Sequence, residues 1–308
     1  MKSDWVGACV RARSMAQRRV GAGSIRALSA APTLAAALAA LQPTYYGERL
    51  HGVSSLAASE RAISETVLWQ LRVLAGWLPA SGTALARAAA GTFELENIVA
   101  LAHQFDGGPT APEPYRLGAL TTAWHRVGEA SSREDLGVRL RTSPWGEVGK
   151  GGPGQLRDTL SVAWARRLAT VAPPARPWFG AVCVLTAARS LTVDGDLPAP
   201  QLLHLLRPVL GRSWESAGNI ADFRAVLPPS LQKVVGDIAV PQELWRAEVR
   251  AHTSVEKDGF RLLRGSMPGP EVVLGAIAVL SMDAWRVRAA LAASATGAGS
   301  SEVLDEAP

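Results

Sequence analysis

The side chains of this chain best suited to chemistry are five histidines, two cysteines, a lysine in a glycine loop and a pair of aspartates. His51, His103, His125, His204 and His252 are scattered, and no two stand at a spacing that would bring both imidazoles to one metal ion. Cys9 and Cys183 lie far apart with no CxxC pattern, and read as two buried thiols in a reducing compartment. The loop GKGGPGQ, residues 149–155, has glycines and Lys150 but not the GxxxxGK[ST] spacing that cradles phosphate, so it reads as a surface loop. Asp194 and Asp196 flank Gly195, yet DGDLP lacks the remaining oxygen ligands of a calcium loop and reads as a solvated turn. No GxSxG elbow occurs. These residues name no catalytic, cofactor-binding or metal site.

The chain has 308 residues, 48% of them apolar and 19% charged, enough to bury a sizeable core. Leu, Ala and Arg dominate, which favours helices, because these residues lose little on entering one. The net charge of +5 suits an anionic partner, whether nucleic acid, membrane surface or acidic protein. The apolar run Val272 to Leu280 is much shorter than the roughly 20 residues of a membrane span. The N-terminus carries Arg11, Arg13, Arg18 and Arg19 but no apolar core of a secretory signal. The expectation is a soluble, cytoplasmic protein.

Period and punctuation predict an all-α body. Residues 4–18 form an amphipathic helix with Trp5, Cys9, Ala12 and Ala16 on one face, ended by Gly21 and Gly23. A short helix near Ser24 to Leu28 and an Ala-rich one from Thr33 to Leu41 follow. Residues 56–90 read as one or two helices broken near Pro79. Residues 92–105 read as another, with Glu94 and Glu96 in its first turn, where the helix dipole favours negative charge. Gly107 to Pro114 is a linker, and Pro173, Pro174 and Pro177 mark a break before a helix at 178–192. Residues 200–250 are helical with interruptions at Pro208, Pro228, Pro229 and Pro241. The last helix carries Val273, Ile277, Leu280, Ala284, Val287 and Leu291 as a heptad-like seam, with Pro270 and Glu271 in its first turn. The Gly- and Ser-rich acidic tail after Thr296 reads as frayed. The ten tryptophans read mostly as core.

A repeat runs through this pattern. LQPTYYGE, residues 41–48, matches LRTSPWGE, residues 140–147, at Leu41/Leu140, Thr44/Ser143, Tyr46/Trp145 and the Gly-Glu pair. Upstream, Thr33, Ser132 and Asn219 are each preferred N-caps. Four and eight residues later stand Ala37 and Leu41, Leu136 and Leu140, Phe223 and Leu227, on one helix face. The third copy ends in PPSLQKVV instead of an aromatic and Gly. Three similar helical units give three segments, 1–90, 91–175 and 176–308 with the closing long helix and tail.

In order and spacing, these segments resemble the C subunit of V/A-type ATP synthases, equivalent to subunit d of the vacuolar ATPase. The likeness rests on Ala8, Val10, Arg11, Ala12 and Met15; on Thr44, Tyr46 and Gly47; on Glu96, Asn97 and Ile98; on SSREDLGVRLRTSPWGE; and on Pro270, Glu271, Asp283 and Arg288. His103 stands where the family usually has Arg, and residues 176–192 lack the acidic-Asn pattern of a third copy. The resemblance implies a funnel of three helical units with approximate threefold symmetry. It implies a non-catalytic rotor part of the central stalk, at the cytoplasmic face of the membrane, between the membrane c-ring and the axle of subunits D and F. It implies no catalytic residue, cofactor, metal, small-molecule substrate or nucleic acid. Apart from the resemblance, the residues also fit a helical scaffold for other proteins, or a basic nucleic-acid binder using Arg11 to Arg19 and Arg139 to Arg141.

Overall fold

The long helix α15, Pro270–Thr296, explains much of the packing. Val273, Ile277, Leu280, Ala284, Val287 and Leu291 are buried, as the heptad reading requires. So are Val272, Leu274, Ala276, Ala278 and Val279, so its first half is enclosed on every side rather than along one seam. Each large aliphatic side chain withdrawn this way contributes ~1.5–3 kcal/mol. Its partners are α1, Val6–Gln17; α2, Ala22–Ser29; α3, Leu34–Leu41; and α5, Leu56–Ala75, which α4, Gly47–Leu50, precedes. The computed structural model describes residues 2–149, 151–194, 197–297 and 301–306, and among them there is no strand.

Next along the chain are α6, Thr83–Phe105; α7, Trp124–Val127; α8, Arg133–Arg141; α9, Pro153–Val171; and α10, Arg176–Arg189. Then come α11, Pro200–Leu210; α12, Ile220–Val226; α13, Pro229–Val235; α14, Leu244–Leu263; and, after α15, α16, Glu302–Glu306. Contact density gathers the chain into two compact units, Met1–Thr83 with Val249–Pro308, and Ala84–Glu248. The sequence repeat, counted along the chain at 1–90, 91–175 and 176–308, is a different division. In the first unit α14 and α15 approach through glycines. A Cβ on Gly275 would lie 2.6 Å from the Gly259 carbonyl oxygen, so a larger residue there would force the helices apart.

Several expectations need correction. Pro79 does break the helix after α5, but α6 starts at Thr83 and runs unbroken to Phe105. Glu94 and Glu96 therefore sit in mid-helix and owe nothing to a helix N-terminus. α1 ends at Gln17; Gly21, at φ 82°, instead begins α2, and Gly23 lies within it. Pro208 is inside α11 rather than interrupting it. Gly47 opens α4 rather than closing α3. Beyond Thr296, Glu302–Glu306 is helical with Leu304 buried. Trp5, Trp145 and Trp214 are buried, but Trp69 and Trp77 are exposed. Lys150, Gly195 and Asp196, named above for chemistry, lie outside the described residues; α9 begins at Pro153, and Asp194 ends a π-turn, Ser190–Asp194.

Candidate functional site: two carboxylate-braced turns

The three capped helices form as read. The side chains of Thr33, Ser132 and Asn219 accept bonds from the backbone N–H groups of Ala36, Asp135 and Asp222. Ala37, Leu41, Leu136, Leu140, Phe223 and Leu227, four and eight residues on, are all buried.

The two matching endings agree bond by bond. The Thr44 hydroxyl donates to the Leu41 carbonyl at 2.6 Å and accepts from the Tyr46 N–H at 3.2 Å. The Ser143 hydroxyl donates to the Leu140 carbonyl at 2.7 Å and accepts from the Trp145 N–H at 3.1 Å. The Thr-to-Ser match is thus a matter of one hydroxyl folding the chain back, which either residue supplies. The glycines differ in use. A Cβ on Gly47 would lie 2.0 Å from the Gln42 carbonyl oxygen, while Gly146 has open space but φ 76°. The shared Glu48 and Glu147 are exposed and take no part.

This turn aims an aromatic donor at a buried carboxylate. In the second unit Trp145 Nε1 donates to Glu94 Oε1 at 2.7 Å, and the Ala123 N–H reaches the same oxygen at 2.8 Å. The Thr122 N–H and Thr121 hydroxyl donate to Oε2 at 2.6 and 3.1 Å. Two donors on each oxygen satisfy the carboxylate of a residue with no exposed surface. Arg167 stands behind this cluster, its Nη2 on the Thr122 hydroxyl at 3.2 Å and its guanidinium 5.0 Å from the Trp145 ring centroid. Burial lowers the Arg167 pKa, and the charge of Glu94 acts against that. Three residues beyond Glu94, Asn97 accepts from the Tyr115 N–H at 2.7 Å and donates to its carbonyl at 3.0 Å.

In the first unit the acceptor is Asp283 on α15, 1% exposed. The Gly21 N–H donates to Oδ1 at 2.9 Å and the Val20 N–H to Oδ2 at 3.2 Å. The left-handed backbone at Gly21 turns these two amides toward the acid. The Tyr46 hydroxyl lies 3.1 Å from Oδ2 and 2.5 Å from the Tyr45 hydroxyl, which itself lies 3.0 Å from Oδ2. Each hydroxyl has one proton, so at the short contact one phenol donates to the other and the second donates to Asp283. Burial first, with the neighbouring Asp283 charge adding to it, pushes the Tyr45 pKa far up. Tyr46 is raised likewise by burial, then by Tyr45 and Asp283. Both phenols stay neutral donors. The two braces share a plan: a carboxylate in the middle of a long helix, two backbone amides ahead of a capped helix, and the aromatic that follows it.

The third copy has no such acid. α10 contains neither Asp nor Glu. Its Cys183, Val184 and Ala187 pack with Trp214, Ile220, Phe223 and Leu227 in one apolar cluster. Trp214 meets Phe223 edge to face, and its Nε1 donates to the nearby Gly211 carbonyl. Burial pushes the Cys183 thiol up to about 12.

The sequence singled out Asp283, but for family likeness alone, and it misplaced Glu94 at a helix start. An acid inside an apolar helical run, with an aromatic-Gly turn elsewhere to meet it, was the available signal. Four of the histidines are exposed; His252 is half-buried with its ring 4.5 Å from that of Trp285. Both cysteines are free and buried. Among the described residues no group of three His, Cys, Asp or Glu side chains could hold a metal ion. Among them, too, no helix is long and apolar enough to cross a membrane. The arginine patch is partly committed to the fold: Arg13 donates to the Leu263 and Gly265 carbonyls, Arg19 lies over Phe260, and Arg139 pairs with Asp135. No protein-family model matches this chain, and no curated protein matches it.

Proposed function

We propose that this chain is the non-catalytic central-stalk subunit of a V/A-type rotary ATPase, a member of the C-subunit family. In this reading three similar helical units surround an approximate threefold axis as a funnel. One end rests on the membrane c-ring and the other receives the axle of subunits D and F. The subunit is peripheral to the membrane, at its cytoplasmic face, and passes torque between ion-driven ring rotation and ATP synthesis or hydrolysis. It needs no cofactor, metal, nucleic acid or small-molecule substrate.

The observation that carries this reading is the repeated braced turn. A quasi-symmetric helical body requires one module to recur with the same contacts, and the turns after α3 and α8 recur to the level of single hydrogen bonds. A torque coupler also needs stiffness. A carboxylate with four donors resists shear, because sliding one helix leaves several buried polar groups unpaired at once. The commitment of Arg13, Arg19 and Arg139 to internal contacts weighs against a nucleic-acid patch built from them.

The test is a tagged pull-down from mild-detergent membranes of the native host, read by mass spectrometry. Recovery of catalytic A and B, axle D and F and the ring protein together supports the rotor reading. A chain that leaves membranes alone and brings down none of them overturns it in favour of a helical scaffold.

A further inference from the structure

In the first unit, three neighbouring elements each hold a large apolar side chain out to solvent. On the outer face of α1, Val6 is 47% and Val10 62% exposed. On one side of that face is Trp77, 55% exposed, in the turn after α5. A Cβ built on Gly7 of α1 would stand 3.5 Å from its ring, an ordinary contact distance, so the indole lies against the helix. On the other side is the loop after α14. It is tied to α1 by Arg13 on the Gly265 carbonyl, 2.6 Å, and by Cys9 on the Gly269 N–H and carbonyl. Between these ties stands Met267, 55% exposed. The result is a strip of exposed apolar side chains on neighbouring elements, Met267, Val6, Val10 and Trp77. Such strips on a soluble face mark a contact with something else.

The charge around the strip is one-sided. From Trp5 to Gly47 the chain carries Arg11, Arg13, Arg18, Arg19 and Arg26 and no carboxylate. Arg72 and Arg264 are exposed beside the Trp77 and Met267 turns. Arg13 spends its hydrogen bonds on backbone carbonyls, so its charge meets no acid. None of Arg13, Arg72 and Arg264 belongs to an ion pair among the described residues. The exposed carboxylates nearest the strip in sequence are Asp4 and Glu271.

We propose that this face docks on an anionic lipid membrane. Trp77, Met267, Val6 and Val10 enter the headgroup boundary while the exposed Arg72 and Arg264 beside them meet lipid phosphates. Aliphatic and Met side chains with an indole, ringed by arginine, are the composition that settles at a bilayer interface without crossing it. The excess of cations over carboxylates supplies the complementarity to an anionic surface. This deepens the membrane-face part of the rotor reading and rests on it for the compartment, but it needs neither ring nor axle.

The experiment is flotation of the purified full-length chain with protein-free vesicles of phosphatidylcholine alone or mixed with phosphatidylglycerol. The chain should float with the mixed vesicles, less at high salt. The double variant Trp77→Ser, Met267→Ser and the single variant Val10→Asp should each weaken flotation by about tenfold or more, the worth of a large apolar side chain removed from water. Arg264→Glu should reduce binding to anionic vesicles only. All these positions are exposed, so unchanged thermal melting by circular dichroism would separate lost binding from lost folding. The proposal is overturned if the chain floats with neither vesicle or if folded variants float as well as the parent. It is also overturned if the variants abolish self-association or capture by ring and axle subunits while flotation persists, since the strip is then a protein interface. Recovery of rotary subunits without flotation would end this proposal and leave the rotor reading standing; flotation without those subunits would do the reverse.

Discussion

The turn after α8 and the region around α12 solve the same problem with different forces. Each contains or adjoins a capped helix whose fourth and eighth residues after the cap are buried. After α8, a charged Glu94 gathers two amides, a hydroxyl and an indole around one point. Around α12, Trp214 and Phe223 fill the space against an α10 that has no acid to offer. The polar solution is directional: it fixes where the aromatic points and which backbone amides face it. The apolar solution is tolerant of shape and gives up that precision. The polar version also fails differently, because each lost partner strands others in a dry interior.

The largest expected effect follows from that asymmetry. Glu94→Ala and Asp283→Ala should each cost about 3–5 kcal/mol, the range for removing one partner of a buried charged network. Phe223→Ala should cost a similar ~3–5 kcal/mol through cavity formation, but with a different signature. A fluorine-labelled Trp145 should lose its single environment when Glu94 is removed. Trp214, whose own bond is to the Gly211 carbonyl, should keep its environment in Phe223→Ala. Glu94→Gln should recover only part of the loss, since its amide nitrogen would confront donors. Equal loss of order in both regions would erase the distinction between them.

A change of pH should separate the two braced units. His252, on α14 beside α15, has its pKa lowered to about 4 by burial first and the Arg288 charge second. The unfolded chain takes up this proton near pH 6.5 and the folded chain only near 4, so protonation favours unfolding. The contribution is fully present above about 6.5 and falls away as the pH drops toward 4. For a half-buried ring the loss is about 2 kcal/mol, discounted from roughly 1.4 kcal/mol per pKa unit. The histidines of the second unit, His103, His125 and His204, are exposed. Hydrogen exchange at pH 7 and pH 5 should therefore show α2 and α15 loosening before α6 and α8. His252→Phe should flatten that difference.

Local signals carried much of this architecture in the sequence, and long-range ones did not. Thr33, Ser132 and Asn219 were readable because a cap acts within three residues, and the buried pairs such as Leu136 and Leu140 because they share one turn of helix. Pro79 announced its break because a ring without an N–H ends a helix locally. Pro208 did not break α11, a tertiary outcome beyond the reach of propensity. Glu94 was misread for the same reason. Its neighbours suit a helix start, but its partners lie 27 to 51 residues away, and nothing adjacent says that Thr121 or Trp145 will meet it. Tyr46 and Trp145 were visible as a matched pair, but the carboxylates that give the match its meaning were not.

The smallest effect tests what all three copies share. Thr33→Ala, Ser132→Ala and Asn219→Ala each remove one side-chain acceptor from the amide three residues on. Each should cost about 1 kcal/mol, the usual worth of such a cap. If the caps only start helices, the three losses should agree within a few tenths. If a brace makes its neighbour rigid, a cap next to one should weigh more, because the frayed turn would also disturb donors already fixed on the carboxylate. Thr33 and Ser132 would then exceed Asn219. Chemical denaturation of the three variants, each also made in Glu94→Gln, measures this as a coupling energy. The Ser132 cap should couple to Glu94, and the Asn219 cap, whose own carboxylate partner is the exposed Asp222, should add independently of Glu94.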